Sequence, residues 1–148
     1  MKIAIGSDHG GYELKEFLKL YFDKNQIEYK DFGTHSSQSV DYPDYGKKVG
    51  HAVLDKPYDF GIVICGTGIG ISIAANKVKG IRAALVYDEL TASLAKEHNN
   101  ANVIALGGRT TTHEHAIEIV KAYMNATFEE RHQKRLNKIK DIEVSKNA

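Results

Sequence analysis

Two short stretches carry residue types that could do chemistry together. Residues 65–70 read Cys65-Gly66-Thr67-Gly68-Ile69-Gly70, a thiol directly ahead of three glycines at alternate positions. Glycines let a backbone approach a ligand closely, and a loop leading into a helix aims its N–H groups at one point near the positive helix end. Such a nest suits an anion, either a bound phosphate or an oxyanion that forms during reaction. The plainer reading is a tight strand-to-helix turn that needs glycine for its geometry. Cys65 is the single cysteine of the chain. Its bland role is a buried, inert thiol. Near a helix N-terminus, however, a thiol is favoured as thiolate, which can act as base or nucleophile. The second stretch is Ser7-Asp8-His9-Gly10-Gly11. There a carboxylate could accept from sugar hydroxyls, and an imidazole could bind phosphate or shuttle a proton.

Further polar residues follow downstream. Glu97-His98-Asn99-Asn100 ends a helical pattern, where the helix dipole alone can account for a histidine. Arg109 comes directly after an apolar run. Arg131 and Arg135 are four apart, the spacing of one helix face, and two guanidinium forks on one face can hold a phosphate dianion. With Lys134, Lys138 and Lys140 nearby, the alternative is a solvated basic stripe.

Alternating strands and helices must position these residues. Apolar runs at 2–7, 27–32, 59–65, 81–87 and 102–106 predict five strands. The β-branched run at 59–65 reads as a central strand buried on both faces. Apolar residues at threes and fours after Tyr12 mark a helix. Further helices are predicted from 44 to 55, from Gly70 to about Lys79, and over 89–98, 112–125 and 128–143. Residues 34–43, closing in Asp41-Tyr42-Pro43, read as a loop. The pattern predicts a single α/β domain over 1–148, a Rossmann-like three-layer α/β/α sandwich around a five-stranded parallel sheet. Right-handed crossovers favour a sheet order beginning 2-1-3, with the helices after strands 1 and 3 on opposite faces. A crevice then opens at the carboxyl ends of those two strands, where such folds bind ligands. The two stretches described first are the loops at that crevice.

The composition agrees with one soluble domain. The chain has 148 residues, 42% hydrophobic and 26% charged, and twenty Lys+Arg against nineteen Asp+Glu give a net charge of +1. Nothing in that balance attracts nucleic acid or an anionic membrane. One cysteine allows no intrachain disulfide, and no run reaches the roughly 20 apolar residues of a membrane span. The opening residues are too short an apolar run for a signal peptide. A cytoplasmic location is expected.

With these residues assembled, the chain resembles the type B ribose-5-phosphate isomerases, which share a family with the two galactose-6-phosphate isomerase subunits. The matching stretches are SDHGGYELK (7–15), DYP (41–43), CGTGIGISIAANK (65–77), GIRAALVYD (80–88), EHNNANVIALGGR (97–109) and ERHQKR (130–135). The resemblance implies an aldose-ketose isomerase of the pentose phosphate pathway that needs no metal and no cofactor. It makes Cys65 the base that moves a proton between the first two sugar carbons. Gly66, Thr67, Gly68, Ile69 and Gly70 would hold the enediolate oxygen, and His98 would assist ring opening. Asp8, His9, Tyr42, Asn99, Arg109, Arg131 and Arg135 would bind substrate, the last two chiefly at its phosphate. A homodimer or a dimer of dimers is implied, with sites between subunits. His98, Asn99 and Arg109 would then enter from the partner, and the C-terminal helix would pack on or near it. A second branch of the family lacks the cysteine and uses a glutamate where this chain has Ile71, so the chain falls in the cysteine branch.

Three other readings remain at this point. A nucleotide-binding module would use the glycine loop, with Asp88 about 20 residues further on, although the glycine spacing departs from the dinucleotide fingerprint. A metal hydrolase is suggested by seven histidines, but His113 and His115 are spaced for different helix faces. A hexose 6-phosphate isomerase, acting on galactose 6-phosphate or allose 6-phosphate, would share the fold and most motifs. It could act as one subunit of a hetero-oligomer.

Overall fold

The computed structural model describes residues 1–55 and 57–145. β1 (Lys2–Ser7), β2 (Glu28–Asp31), β3 (Phe60–Cys65), β4 (Ala83–Leu85) and β5 (Val103–Gly107) form one parallel sheet in the order β2-β1-β3-β5-β4. The helices are α1 (Tyr12–Lys24), α2 (Tyr42–Leu54), α3 (Ile69–Asn76), α4 (Glu89–Glu97), α5 (His113–Asn125) and α6 (Gln133–Val144), with a 3-10 turn at Glu130–His132 before α6. The expected α/β/α sandwich and the 2-1-3 start of the sheet are what the chain adopts.

Side chains alternate across the sheet and build two apolar layers. Ile3, Ile5, Ile62, Ile64, Ile104 and Leu106 face one layer with residues of α1, α4 and α5. Ala4, Val63, Cys65, Val103 and Ala105 face the other with residues of α2 and α3. The helices following β1 and β3 thus lie on opposite faces, as the crevice requires. β3 is buried throughout, which explains its unbroken apolar run. A Cβ on Gly61 would stand 2.7 Å from Val49 and 2.8 Å from Val53, so the glycine is what lets α2 approach β3.

Several boundaries differ from expectation. α2 begins at Tyr42, so Tyr42 and Pro43 are helical rather than loop; a proline in the first turn sacrifices no hydrogen bond. α3 stops at Asn76, ahead of a turn whose Gly80 has φ +91°. β4 keeps only three of the seven expected residues. The C-terminal helix divides into the 3-10 turn and α6.

Both sheet edges are guarded against further strand pairing. On β4, the Asn76 side chain accepts from the Ala83 N–H at 2.7 Å and donates to the Ala83 carbonyl at 2.9 Å. On β2, Glu28 and Lys30 are exposed. Beside β2 lies a fully buried lysine. Lys15 Nζ is 2.6 Å from Asp31 and 3.1 Å from Glu16, and Lys19 reaches the same two carboxylates at 2.8 Å each. Burial alone would raise the Asp31 carboxyl pKa, but hydrogen bonds from Lys15, Lys19 and the Gly33 amide hold it below the usual range.

Candidate active site

The carboxyl ends of β1, β3 and β5 meet in one crevice. Gly108 N–H donates to the Cys65 carbonyl at 2.8 Å and Arg109 N–H to the Gly66 carbonyl at 2.9 Å, stitching the loop after β5 to the loop after β3. The loop after β1 closes the other side, since a Cβ on Gly10 would lie 3.0 Å from the Gly66 amide nitrogen. Asp8 is buried and shapes that loop: its Oδ1 accepts from the Gly10 and Gly11 amides at 2.8 and 3.1 Å. Both of these bonds use Oδ1 and neither uses Oδ2. His9 Nδ1 accepts from the Val40 N–H at 3.2 Å. A backbone amide can only donate, so the neutral ring carries its proton on Nε2 and presents a donor there.

Cys65 closes β3 on the α2/α3 face and is 5% exposed, in the same apolar layer as Val63, Ile71 and Ala105. Sequence reasoning asks for a sulfur at an open cleft; the structure encloses it at the cleft's foot, immediately before the half-buried Gly66 and the exposed Thr67. The turn is completed by Gly68 at φ +80°, a left-handed conformation that favours glycine. The Thr67 hydroxyl accepts from the Ile69 amide at 3.2 Å. α3 follows at once, so its N-terminal amides and its positive end face the crevice. Tyr42 lies over this helix start, because a Cβ on Gly70 would be 2.6 Å from its ring. Arg109 lies over the loop, with Nη1 2.9 Å from a Cβ placed on Gly66. The resemblance implies entry of Arg109 from a partner; in this structure its guanidinium covers the loop of its own chain. The crevice brings together Asp8, His9, Tyr42, Cys65 to Gly70 and Arg109.

His98, Asn99, Arg131 and Arg135 are elsewhere. His98 is the C-cap of α4, ahead of β5, whose first residue Val103 pairs with Gly61 at the start of β3. These residues therefore sit at the amino edge of the sheet, the far side from Cys65. The length of β5 alone separates the edges by about 13 Å. Arg131 belongs to the 3-10 turn and Arg135 to α6, so their spacing does not run along one α-helix. Both are nonetheless anchored at the same junction. Arg131 donates to Glu129 through Nε and Nη2 at 3.1 and 2.8 Å, and Arg135 Nη1 donates to His132 Nδ1 at 2.9 Å. The backbone fastens this junction to α4, with Glu129 N–H donating to the Glu97 carbonyl at 2.9 Å.

Arg82 is a residue that sequence reasoning passed over within GIRAALVYD. Its guanidinium donates to the Asn99 and Asn100 carbonyls at 2.8–3.3 Å, where Asn100 turns at φ +41°. It fixes the loop carrying His98 and Asn99, and no local pattern in the sequence marks a tie across so many residues.

The residues that suggested two competing readings, Asp88 and the His113/His115 pair, have other partners. The Asp88 carboxylate accepts from the Thr91 amide and hydroxyl, both at 2.7 Å, as the N-cap of α4; it is not placed for a ribose. His115 pairs with Glu89 at 2.6 Å while His113 packs on Phe17 with ring centroids 4.8 Å apart.

Known proteins resemble the whole chain. Residues 3–139 match the model of the Ribose/Galactose Isomerase family. Ribose-5-phosphate isomerase B of Escherichia coli is 45% identical over 147 residues, covering 99% of both chains. Among solved structures, ribose-5-phosphate isomerase B of Clostridium thermocellum superposes with a TM-score of 0.94 at 53% identity, covering 97% of each chain. That of Mycoplasma genitalium, with bound ribulose-5-phosphate, gives 0.90 at 42% identity, covering 96% of this chain and 95% of the other. Matched from end to end in sequence and in fold, the chain belongs to the ribose/galactose isomerase family.

Proposed function

We propose that the chain interconverts ribose 5-phosphate and ribulose 5-phosphate as a homodimer whose active sites draw on both copies. The observation that carries this reading is a thiol at the foot of an amide cradle, in a chain matched throughout by ribose-5-phosphate isomerases B. The hydrogen beside a sugar carbonyl is weakly acidic, so its removal needs stabilisation of the oxyanion. The Cys65 thiolate takes the C2 hydrogen of the open-chain aldose, and the negative charge moves to O1. Amides of Gly66, Thr67, Gly68, Ile69 and Gly70 surround that oxygen, together with the positive end of α3; such donors are typically worth about 3 kcal/mol each. The thiol then returns the proton to C1 while the O2 hydroxyl proton passes to O1, which yields the ketose. One base serves both carbons, so the residues present account for the reaction without a cofactor.

Asp8 Oδ2, the Nε2–H of His9, Tyr42 and Arg109 hold the sugar and its phosphate from one copy. His98 for ring opening, Asn99 for substrate contact, and Arg131 and Arg135 for the phosphate come from the other. The separation of the two groups supports this, because a group must approach within about 3 Å of a reacting atom to act on it. Exposed apolar residues beside the crevice give a second copy something to cover: Ile69 is 52%, Ile73 56%, Tyr87 66% and Leu90 65% exposed. α6 carries two further exposed apolar residues, Ile139 and Ile142. Among the described residues no helix is long and apolar enough to cross a membrane, and we assign the enzyme to the cytoplasm.

The test is turnover by the purified chain on ribose 5-phosphate, galactose 6-phosphate and allose 6-phosphate. The highest kcat/KM is expected on ribose 5-phosphate; a hexose phosphate preferred over it overturns the substrate assignment.

A further inference from the structure

At the amino edge, His98, Glu129 and His132 bring one ligand atom each to within 4.8 Å of one another. The hydrogen-bond chemistry argues against a cation there. A guanidinium only donates, so His132 Nδ1, at 2.9 Å from Arg135 Nη1, must be an acceptor, and the ring proton sits on Nε2. Neither ring nitrogen then has a free lone pair, and Arg131 and Arg135 add two positive charges beside the trio.

The same facts describe a different role. His132 is 6% exposed, and its ring lies tilted at 42° against that of His98 with centroids 4.3 Å apart. Its Nε2 is buried without a hydrogen-bond partner, with Glu129 Oε1 3.5 Å away. Leaving a buried N–H unsatisfied carries a cost, and at this site it accompanies a bond that steers Arg135. Burial, followed by Arg131, His98 and Arg135, depresses the imidazole pKa and keeps it the neutral acceptor that Arg135 requires.

We propose that His132 is a positioning residue: one buried imidazole sets the direction of the Arg135 guanidinium through Nδ1 and the attitude of the His98 ring through stacking. This rests on the reading of Arg135 as a phosphate ligand and His98 as the ring-opening group. One residue thereby aligns the phosphate anchor with the ring-opening step in the half-site that this chain lends to its partner.

Two substitutions separate the contacts. His132→Phe keeps a ring against His98 and removes the acceptor; His132→Asn keeps a short acceptor and removes the ring. With the intact oligomer, His132→Phe is expected to raise KM for ribose 5-phosphate and Ki for inorganic phosphate about tenfold, with the loss concentrated there rather than in kcat. His132→Asn is expected to hold the phosphate Ki within about threefold of wild type and to lower kcat. A His132→Phe enzyme with wild-type phosphate Ki, or two variants that lose the same parameter, overturns the proposal. Should either variant fail to fold, nitrogen NMR of the wild-type protein decides. An Nε2–H tautomer at His132 supports the proposal, and an Nδ1–H tautomer sinks it. Failure of the underlying reading looks different: wild type would not turn over ribose 5-phosphate, or inorganic phosphate would not inhibit it.

Discussion

The enclosure of Cys65 sets what its replacement should do. The side chain fills part of an apolar layer, so Cys65→Ala removes the sulfur at little cost to the loop around it. Turnover is expected to fall about 1000-fold, the range of a lost general base. Calorimetric affinity for the phosphosugar should hardly change, because the amides and arginines remain; near-normal turnover would take Cys65 out of the base role. Arg135→Ala should show the opposite profile, raising KM roughly 10- to 100-fold, as loss of a charge-assisted hydrogen bond does. An unchanged KM would leave Arg135 as part of a merely solvated stripe.

Among the elements, α1 and β2 are tied through Lys15, a fully buried charge. Lys15 is fully buried, so Asp31→Asn would strand its ammonium with the half-exposed Glu16 as its remaining partner. A loss of about 3 kcal/mol is expected from urea unfolding, the cost of breaking a buried pair by removing one member. A loss below about 1 kcal/mol, typical of surface pairs, would contradict the account. The sign with pH follows from the depressed Asp31 pKa. Its contribution is present above the ordinary carboxylate value of about 4 and disappears as pH falls through the lower folded value. Glu16, also depressed because its bonds to Lys19 and Lys15 outweigh its burial, adds in the same direction. Helix count and both crevice loops were legible in the sequence because period-two and period-3.6 patterns report which face is covered, and crossover handedness added the 2-1-3 start of the sheet but not the β5-β4 end. The division of 128–143 was not, since Glu129 and His132 turn the chain through tertiary contacts with α4. Nor was the start of α2, because a proline beside an acidic residue signals a loop and a helix start equally well.

On the scale of the whole molecule, the two half-sites predict complementation. Cys65→Ala and His98→Asn enzymes should each be inactive alone. Unfolded, mixed in equal amounts and refolded, they should regain about a quarter of wild-type turnover, because half the dimers are mixed and each of those has one intact site. No recovery would mean that a single chain completes its own site. Specificity of association matters as much as its existence, and here the Asn76 clamp on β4 has a consequence. Its carboxamide satisfies the outward amide and carbonyl of Ala83 much as a neighbouring strand would. The β4 margin therefore offers a second copy no template for strand pairing, and with it none for open-ended fibre growth.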